Sequence, residues 1–204
     1  MILKEIENEL KKIKEDIIND IDNVEFTNKG WLPLYTIGPK SKIIIIGQAP
    51  GIKAQESGIA WNDLSGDRLR EWLGVSKAQF YDTDLFALIP MDFYYPGKGK
   101  SGDLPPRKTF SQKWHPKLKS QLKDLRLIIL VGSYAQKYYL KNSFKQNLTE
   151  TVKSFNEYLP EYFPIVHPSP LNIRWQSKNP WFKDEVIPIL KAEVNKIINE
   201  KETD

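Results

Sequence analysis

The chain has 204 residues, of which 40% are hydrophobic and 12% aromatic, enough to build a buried core. It contains no cysteine, which excludes disulfide frameworks, iron–sulfur clusters, cysteine nucleophiles and cysteine-based zinc sites. With only 2 histidines, a histidine-rich metal site is not expected, and we predict no cofactor. A chain without cysteine is typical of the cytosol, so we predict a cytoplasmic protein. The net charge of +4 is compatible with nucleic-acid binding but does not demand it, because 26 acidic residues accompany 30 basic ones.

Residues 1–22 form an amphipathic segment. Its apolar residues recur at three- and four-residue spacing, which is typical of one helix face: Ile6, Leu10, Ile13, Ile17, Ile18 and Ile21. Charged residues interrupt the segment every two or three positions, which excludes a signal peptide and a membrane span. We therefore expect no membrane partner. Because no repeat or linker divides the chain, we predict one domain over residues 1–204.

Four apolar runs are predicted to be strands of a buried sheet. The strongest is Ile43–Ile46, since four β-branched residues in a row are typical of a strand covered on both faces. The others are Leu85–Ile89, Leu127–Val131 and Tyr162–Val166. Pro164 cannot donate a ladder hydrogen bond, so we expect the last strand at an edge of the sheet.

Helices are predicted at Ser65–Leu73, Lys117–Leu122, Ser133–Leu140 and Lys183–Ile198. Ser65 is the expected N-cap of the first helix, and Pro188 predicts a kink in the last. Strands that alternate with helices indicate an α/β fold, with a mostly parallel sheet covered on both faces. In such sheets ligands bind beyond the carboxyl ends of the strands, so the loops that follow the four strands form the expected functional rim.

The loop after the first strand reads Gly47-Gln48-Ala49-Pro50-Gly51. Glycine lets the backbone approach a ligand closely, and proline makes the turn rigid. Such a loop can direct amide N–H groups at a base carbonyl or a phosphate. The alternative, for this segment alone, is an ordinary tight turn between a strand and a helix.

The loop after the fourth strand reads His167-Pro168-Ser169-Pro170-Leu171-Asn172. Its two prolines stiffen a loop that presents an imidazole, a hydroxyl and a protruding apolar side chain. A histidine at the carboxyl end of a strand is well placed to stabilise developing negative charge. A capped structural histidine in a proline-rich turn is the alternative.

Residues 58–69 provide an aromatic plane at Trp61, an acid at Asp63 and a helix start at Ser65-Gly66. Trp61 can stack on a flat ring, an interaction of about 1–3 kcal/mol per base. The alternative for this tryptophan is packing in the core.

Together, these three segments resemble the motifs of the uracil-DNA glycosylase superfamily in order and spacing. The resemblance is to the branch whose first motif reads Gly-Glu-Ala-Pro-Gly and continues through a glycine, a small residue, an aromatic residue and a glycine. The corresponding positions here are Gly47–Gly51, Gly58, Ala60, Trp61 and Gly66. The later loop resembles the family's His-Pro-Ser-Pro-Leu form. The resemblance spans about residues 42–190 and implies a three-layer α/β/α sandwich with a central four-stranded parallel sheet.

Members of this family flip a damaged base out of DNA and hydrolyse its bond to the sugar, which leaves an abasic site for base-excision repair. The resemblance implies that His167 donates a hydrogen bond to the base carbonyl nearest the broken bond. It implies that Gln48 and the rest of Gly47–Gly51 present backbone amides to the same edge of the base, and that Trp61 stacks on the flipped ring. The expected substrate is uracil or a related deaminated base.

The resemblance also implies how DNA is held. Leu171 would wedge into the gap left by the base, and Ser169 would contact a flanking phosphate. Further DNA contacts are expected from Ser65, Lys98, Lys100, Asn172 and Arg174. We expect a monomer that acts on damaged DNA in a bacterial-type cytoplasm, associated with the nucleoid.

This chain departs from the family at the residue that positions the attacking water. The best-known members have an aspartate at the position of Ala49, and the resembled branch has a glutamate at that of Gln48. Glu56 and Asp63 are the alternatives for this role. We favour Asp63, which lies between the stacking residue and the helix start, although capping the helix is also open to it. The four cysteines that hold an iron–sulfur cluster in the branch are missing.

A second departure concerns the choice of base. The family's strand-two asparagine reads the N3–H and O4 edge of uracil, and alignment of Phe80–Leu85 puts Asp84 in its position. A carboxylate accepts from N3–H but repels O4, so a modified or deaminated base other than uracil stays open. A capping or ion-pairing role for Asp84 is the alternative.

Two further features suggest sites but have simpler interpretations. The segment Gly97–Gly102 spells Gly-x-Gly-x-x-Gly, yet it neither follows a strand directly nor opens a helix, so we interpret it as a basic loop near DNA or in solvent. His115 has no acid or nucleophile beside it, which favours a structural role.

Besides an active glycosylase, the sequence leaves open two other functions. One is a DNA-binding member of the family without efficient catalysis, suggested by Ala49, and the other is a small-molecule binding domain.

Overall fold

Four parallel strands in the spatial order β2-β1-β3-β4 form the centre of the computed structural model, which describes residues 2–200. The strands are β1 (Ile43–Ile46), β2 (Phe86–Leu88), β3 (Leu127–Val131) and β4 (Tyr162–Ile165). The first and third have the predicted bounds, the second is one residue shorter at each end, and the fourth ends one residue early. Pro164 lies in the outer strand β4, as expected for a residue without an N–H.

Helices occupy most of the segments around the strands: α1 (Ile2–Ile18), α2 (Val24–Asn28), α3 (Ile52–Ser57), α4 (Leu64–Leu73), α5 (Lys77–Tyr81), α6 (Phe110–Lys119), α7 (Ser133–Leu140), α8 (Leu148–Lys153), α9 (Ile173–Lys178) and α10 (Ile187–Asn199). Short 3-10 turns lie at Ile21–Asn23, Lys141–Ser143, Phe155–Tyr158 and Pro170–Asn172.

Successive side chains of β1 point to opposite faces of the sheet, and helices cover both faces. Ile43 and Ile45 pack in one core with residues of α4 and α10. Ile44 and Ile46 pack in the other core with residues of α1 and α6. All four isoleucines are completely buried, which explains the uninterrupted apolar run. The three-layer α/β/α sandwich with a central four-stranded parallel sheet is therefore confirmed.

The prediction of a helix at Lys117–Leu122 is wrong in its bounds, because α6 covers Phe110–Lys119. Pro116 suggested a break, since proline in a helix interior costs about 3 kcal/mol. The helix nevertheless continues through it, because large side chains four residues apart are buried on one face: Phe110, Trp114 and Leu118. Each such burial contributes about 1.5–3 kcal/mol, so the three together outweigh the proline.

The predicted helix Lys183–Ile198 contains a widened turn. A π-helical turn at Phe182–Val186 leads directly into α10, and Pro188 is the second residue of that helix. The wider turn accommodates a residue that has no N–H and whose ring crowds the preceding turn. At the place where a kink is predicted, the structure has a π-helical turn that ends two residues before Pro188.

The amphipathic segment predicted at residues 1–22 forms α1, which ends at Ile18. Its buried face consists of four residues at the predicted spacing: Ile6, Leu10, Ile13 and Ile17. Met1 and residues 201–204, at the two ends of the predicted domain, lie outside the described residues. Between residues 2 and 200, no helix has the length and apolar character needed to cross a membrane.

His115 is a buried structural residue of α6. Its Nε2 lies 2.9 Å from the carbonyl of Pro90 and must donate, because a carbonyl only accepts. Its Nδ1 lies 2.7 Å from the hydroxyl of Tyr139 and accepts from it. The neutral imidazole thus satisfies both partners, and burial lowers the pKa of His115 to about 4.

We expect His115 to make the stability of the fold depend on pH. The unfolded chain takes up this proton below its ordinary pKa of 6.5, whereas the folded chain takes it up only near pH 4. The contribution of His115 to the free energy of unfolding should therefore be fully present above pH 6.5 and be lost as the pH is lowered towards 4. The difference between the two pKa values corresponds to about 3 kcal/mol.

Urea unfolding of the wild type and His115→Gln between about pH 4 and pH 8 measures this contribution. The glutamine amide can donate to Pro90 and accept from Tyr139 but does not titrate. We expect the variant to lose less stability than the wild type as the pH falls. An equal loss in both proteins would contradict the assignment.

Candidate active site

The carboxyl ends of the strands bring the two predicted motif loops to the same edge of the sheet. Gly47 follows β1, and His167 comes two residues after β4. Between them Gly132 follows β3, and a Cβ atom at Gly132 would lie 4.0 Å from the Cβ of His167. Beyond β1, the amide of Met91 donates to the Gly47 carbonyl at 2.9 Å and ties the chain after β2 to the first loop. These loops form one rim, as the parallel topology predicts.

The protonation state of His167 follows from one hydrogen bond. The Ser169 amide donates to its Nδ1 at 3.2 Å, so the neutral ring carries its proton on Nε2. Burial lowers the pKa of His167, with a smaller opposing effect of Asp63, and the ring is neutral at neutral pH. The side-chain amide of Asn172 donates to the His167 carbonyl at 2.7 Å and fixes the loop. His167 therefore holds one N–H donor ready at the rim.

The backbone conformation of Trp61 and the contacts of its carbonyl hold this residue beside the first loop. Its φ of 57° lies in the left-handed region, which is uncommon for a residue with a side chain. Arg70 Nη1 donates to the Trp61 carbonyl at 3.1 Å. Only glycine fits at Gly66, because a Cβ there would lie 1.7 Å from this carbonyl oxygen. The indole ring lies 5.6 Å from the ring of His167, centroid to centroid, and a Cβ at Gly47 would lie 2.9 Å from its Cζ2.

The Gly97–Gly102 segment is a tight hairpin turn and opens no helix. The Gly99 amide donates to the Gly102 carbonyl at 2.8 Å, and the Leu104 amide donates to the Gly97 carbonyl at 2.9 Å. An antiparallel bridge between Lys98 and Asp103 closes the turn. Lys98 and Lys100, which the sequence predicts to face DNA, are exposed on it.

The hairpin packs on the first loop and brings a carboxylate that the sequence does not single out. Gln48 Nε2 donates to the Leu104 carbonyl at 3.1 Å. The Tyr95 hydroxyl donates to Asp103 Oδ1 at 3.3 Å, and a Cβ at Gly51 would lie 4.0 Å from Asp103 Oδ2. Gln48 and Leu104 are 56 residues apart in the chain, so no local pattern points to this contact.

Asp63 and Glu56, the acids expected to position water, occupy different surroundings. Asp63 is the N-cap of α4, and its Oδ1 accepts from the Gly66 amide at 2.9 Å, the capping role that the sequence left open. Glu56 is exposed on α3. The prediction of Ser65 as the N-cap is therefore wrong by two positions. Ser65 is 8% exposed in the first turn of α4, and its predicted contact with DNA stays a prediction.

The prediction that Asp84 lies in the base pocket is wrong. Phe86 begins β2 and pairs with Ile43, the first residue of β1, whereas the rim lies beyond the other end of both strands. Asp84 precedes Phe86 and lies exposed at the amino edge of the sheet, where its amide donates to Asp82 Oδ1 at 2.9 Å. The residue that reaches the rim after β2 is Pro90.

A protruding surface lies directly beside His167. Leu171 is 90% exposed at the tip of the loop, and its amide donates to Ser169 Oγ at 3.2 Å. Arg174 is exposed on α9, the helix that follows. The side-chain amide of Asn172 donates within the loop, as described above, and its predicted contact with DNA stays a prediction. The loop thus groups an apolar tip with a hydroxyl and a cation.

A cavity of about 650 Å³ lies between α6, α7 and the amino end of β4. Its walls include His115, Lys119, Tyr138, Tyr139 and Tyr162, and none of the motif residues at the rim. Over residues 2–200, no three acidic or histidine side chains are grouped so that they could hold a metal ion.

Comparison with known proteins agrees with the motifs. The family model described as the uracil DNA glycosylase superfamily matches residues 35–191, which include both motif loops. Similar solved structures include the solution NMR structure of a candidate uracil DNA glycosylase from Methanosarcina acetivorans. That protein is 15% identical, with a TM-score of 0.47, and the match covers 78% of this chain and 94% of that chain. The match to the family model extends over more than half of the sequence, and this chain belongs to the uracil DNA glycosylase superfamily.

Proposed function

We propose that this protein is a monofunctional DNA glycosylase that rotates uracil or a related deaminated base out of DNA and hydrolyses its bond to deoxyribose. The observation that carries the proposal is the hydrogen bond from the Ser169 amide to Nδ1 of His167, which leaves the proton of the neutral ring on Nε2. In this reaction negative charge gathers on the departing base. A preorganised N–H donor stabilises that charge as it develops, and the neutral imidazole provides this donor through Nε2–H.

Trp61 and the first loop supply the other walls of the proposed base pocket. The indole lies close enough to His167 for a flat base to contact both, and stacking contributes about 1–3 kcal/mol. Backbone amides of Gly47–Gly51 are the donors for the polar edge of the base. The asparagine that reads uracil in the family has no counterpart after β2, where Pro90 stands. Base selection therefore rests on backbone groups and shape, which supports a substrate class broader than uracil.

The surface beside His167 suits a DNA duplex. Leu171, 90% exposed, is available to fill the gap that a flipped base leaves. Lys98, Lys100 and Arg174 are exposed cations on the flanking hairpin and helix, and phosphate contacts of this kind make affinity fall with added salt. We propose that the protein acts as a monomer, because one copy carries the wedge, the donor and the stacking residue.

Incubation with duplexes that each contain one uracil, hypoxanthine or xanthine tests the proposal. After alkaline cleavage of abasic sites, we expect strand scission at one or more of these bases and none in the undamaged duplex. Because the enzyme is proposed to be monofunctional, we expect no scission before alkali. A protein that binds the duplexes but cuts none of them would instead be the non-catalytic DNA-binding member that Ala49 suggests.

A further inference from the structure

The proposed hydrolysis requires a carboxylate to orient water and take its proton, and the first loop has Ala49 where the best-known members of the family have an aspartate. Two other acids near the rim have structural roles, although Asp63 uses only Oδ1 in its own. Asp92 is completely buried and accepts from Arg107 with both oxygens. Asp63 caps α4 with Oδ1. The loop that should hold the water therefore contains no acid of its own.

The hairpin places Asp103 beside this loop. The Tyr95 hydroxyl holds its Oδ1 at 3.3 Å. Burial, with a further effect of Asp103, raises the pKa of Tyr95, so the phenol keeps its proton and donates it. The other oxygen, Oδ2, lies 4.0 Å from where a Cβ of Gly51 would stand, and no group in residues 2–200 donates to it. Because Gly51 has no side chain, Oδ2 faces open space over the first loop.

Gln48 holds the hairpin against the first loop. Its Nε2 donates to the carbonyl of Leu104, the neighbour of Asp103. The resembled branch has a glutamate at this position, and a carboxylate could not donate to a carbonyl. The amide thus positions the segment that carries the acid.

We propose that Asp103 is the catalytic base of this enzyme, a role that rests on the glycosylase function proposed above. The oxygen of a water molecule held by Oδ2 forms a bond to C1′ of the deoxyribose while the C1′–N bond breaks. The electron pair of that bond leaves on the base, which His167 Nε2–H stabilises. Asp103 takes one proton from the water, the hydroxyl group remains on C1′, and the base anion is protonated by solvent.

The test uses single-turnover excision of the best substrate in the lesion panel. We expect Asp103→Asn to lower the maximal rate by about 100-fold or more, the usual contribution of a general base, with duplex affinity unchanged or slightly higher. We expect added formate to restore part of the rate of Asp103→Ala, because the small carboxylate can occupy the vacated space. We also expect Ala49→Asp to restore activity to Asp103→Asn. Ser101→Ala, an exposed change on the same hairpin, is the matched control and should excise at the wild-type rate.

The outcomes separate this role from the function itself. If the wild type excises a base and Asp103→Asn does so at the same rate, Asp103 is not the base and the glycosylase function stands. If both Asp103 variants are slow but neither formate nor Ala49→Asp restores activity, Asp103 is structural and the proposal is overturned. If the wild type excises nothing, the proposed function fails and the role of Asp103 fails with it.

Discussion

Replacing His167 with alanine is expected to slow base excision by about 100- to 1,000-fold, the usual effect of removing one donor to a developing anion. This loss corresponds to about 2.7–4 kcal/mol in the activation barrier. The effect should fall on the chemical step, because the hydrogen bond strengthens only as charge accumulates on the base. Duplex affinity should change little, because the proposed contacts with the duplex come from Leu171 and the exposed cations and not from His167.

Single-turnover excision and duplex binding, measured on the same substrate, check this expectation. His167→Gln is the matched variant, because the glutamine amide keeps an N–H donor but places it differently from the Nε2–H of histidine. We expect its rate to lie between those of the wild type and His167→Ala. Thermal unfolding of both variants controls for folding. Equal excision by the wild type and His167→Ala would remove His167 from the mechanism and leave the proposed function without its main support.

The sequence predicts the sheet and the motif loops well because their signals are local. A run of four isoleucines is typical of a strand buried on both faces, as in the centre of a parallel sheet, and the structure places it there. The loops at Gly47 and His167 directly follow such strands, so the parallel topology alone places them at one rim. The roles of Trp61, Gln48 and His167 remain predictions, and the structure brings the rings of Trp61 and His167 within 5.6 Å of each other, centroid to centroid.

Other features escape sequence reasoning because they depend on packing between distant segments. The resemblance gives Asp84 the role of a residue at the end of a strand, but Asp84 precedes β2, which begins at Phe86, and so lies at the amino edge of the sheet. The helix α6 passes through Pro116 because its buried face outweighs the proline. Asp103 reaches the rim through a hairpin whose contact with Gln48 has no local signature.

Replacing Arg107 with methionine is expected to lower the free energy of unfolding by about 3–5 kcal/mol, the usual cost of leaving a buried charge without its partner. Asp92 is completely buried, and Arg107 reaches it through Nε at 2.7 Å and Nη2 at 2.8 Å. The third guanidinium nitrogen, Nη1, donates to the Asp22 carbonyl at 2.8 Å and to Asn23 Oδ1 at 2.7 Å. One side chain thus joins the chain after β2 to the segment after α1.

Urea unfolding of Arg107→Met, Asp92→Leu and the double variant measures this contribution. Methionine keeps most of the aliphatic length of arginine, so the loss reports mainly on the charge and its hydrogen bonds. The double variant buries no charge, and we expect it to be more stable than either single variant. If the effects of the two single changes simply add in the double variant, the ion pair is not what stabilises this region.

The same variants link the stability of the ion pair to the proposed chemistry. Arg107 and Tyr95 stand at the two ends of the segment that contains Asp103, and the Tyr95 amide is itself held by Gln55 Oε1 at 2.9 Å. Release of Arg107 frees one end of this segment, so we expect Arg107→Met to slow excision as well as to destabilise the fold. The double variant should recover stability without recovering the rate, because the anchor of the hairpin is still missing. Recovery of both together would mean that the ion pair acts on excision only through the overall stability of the fold.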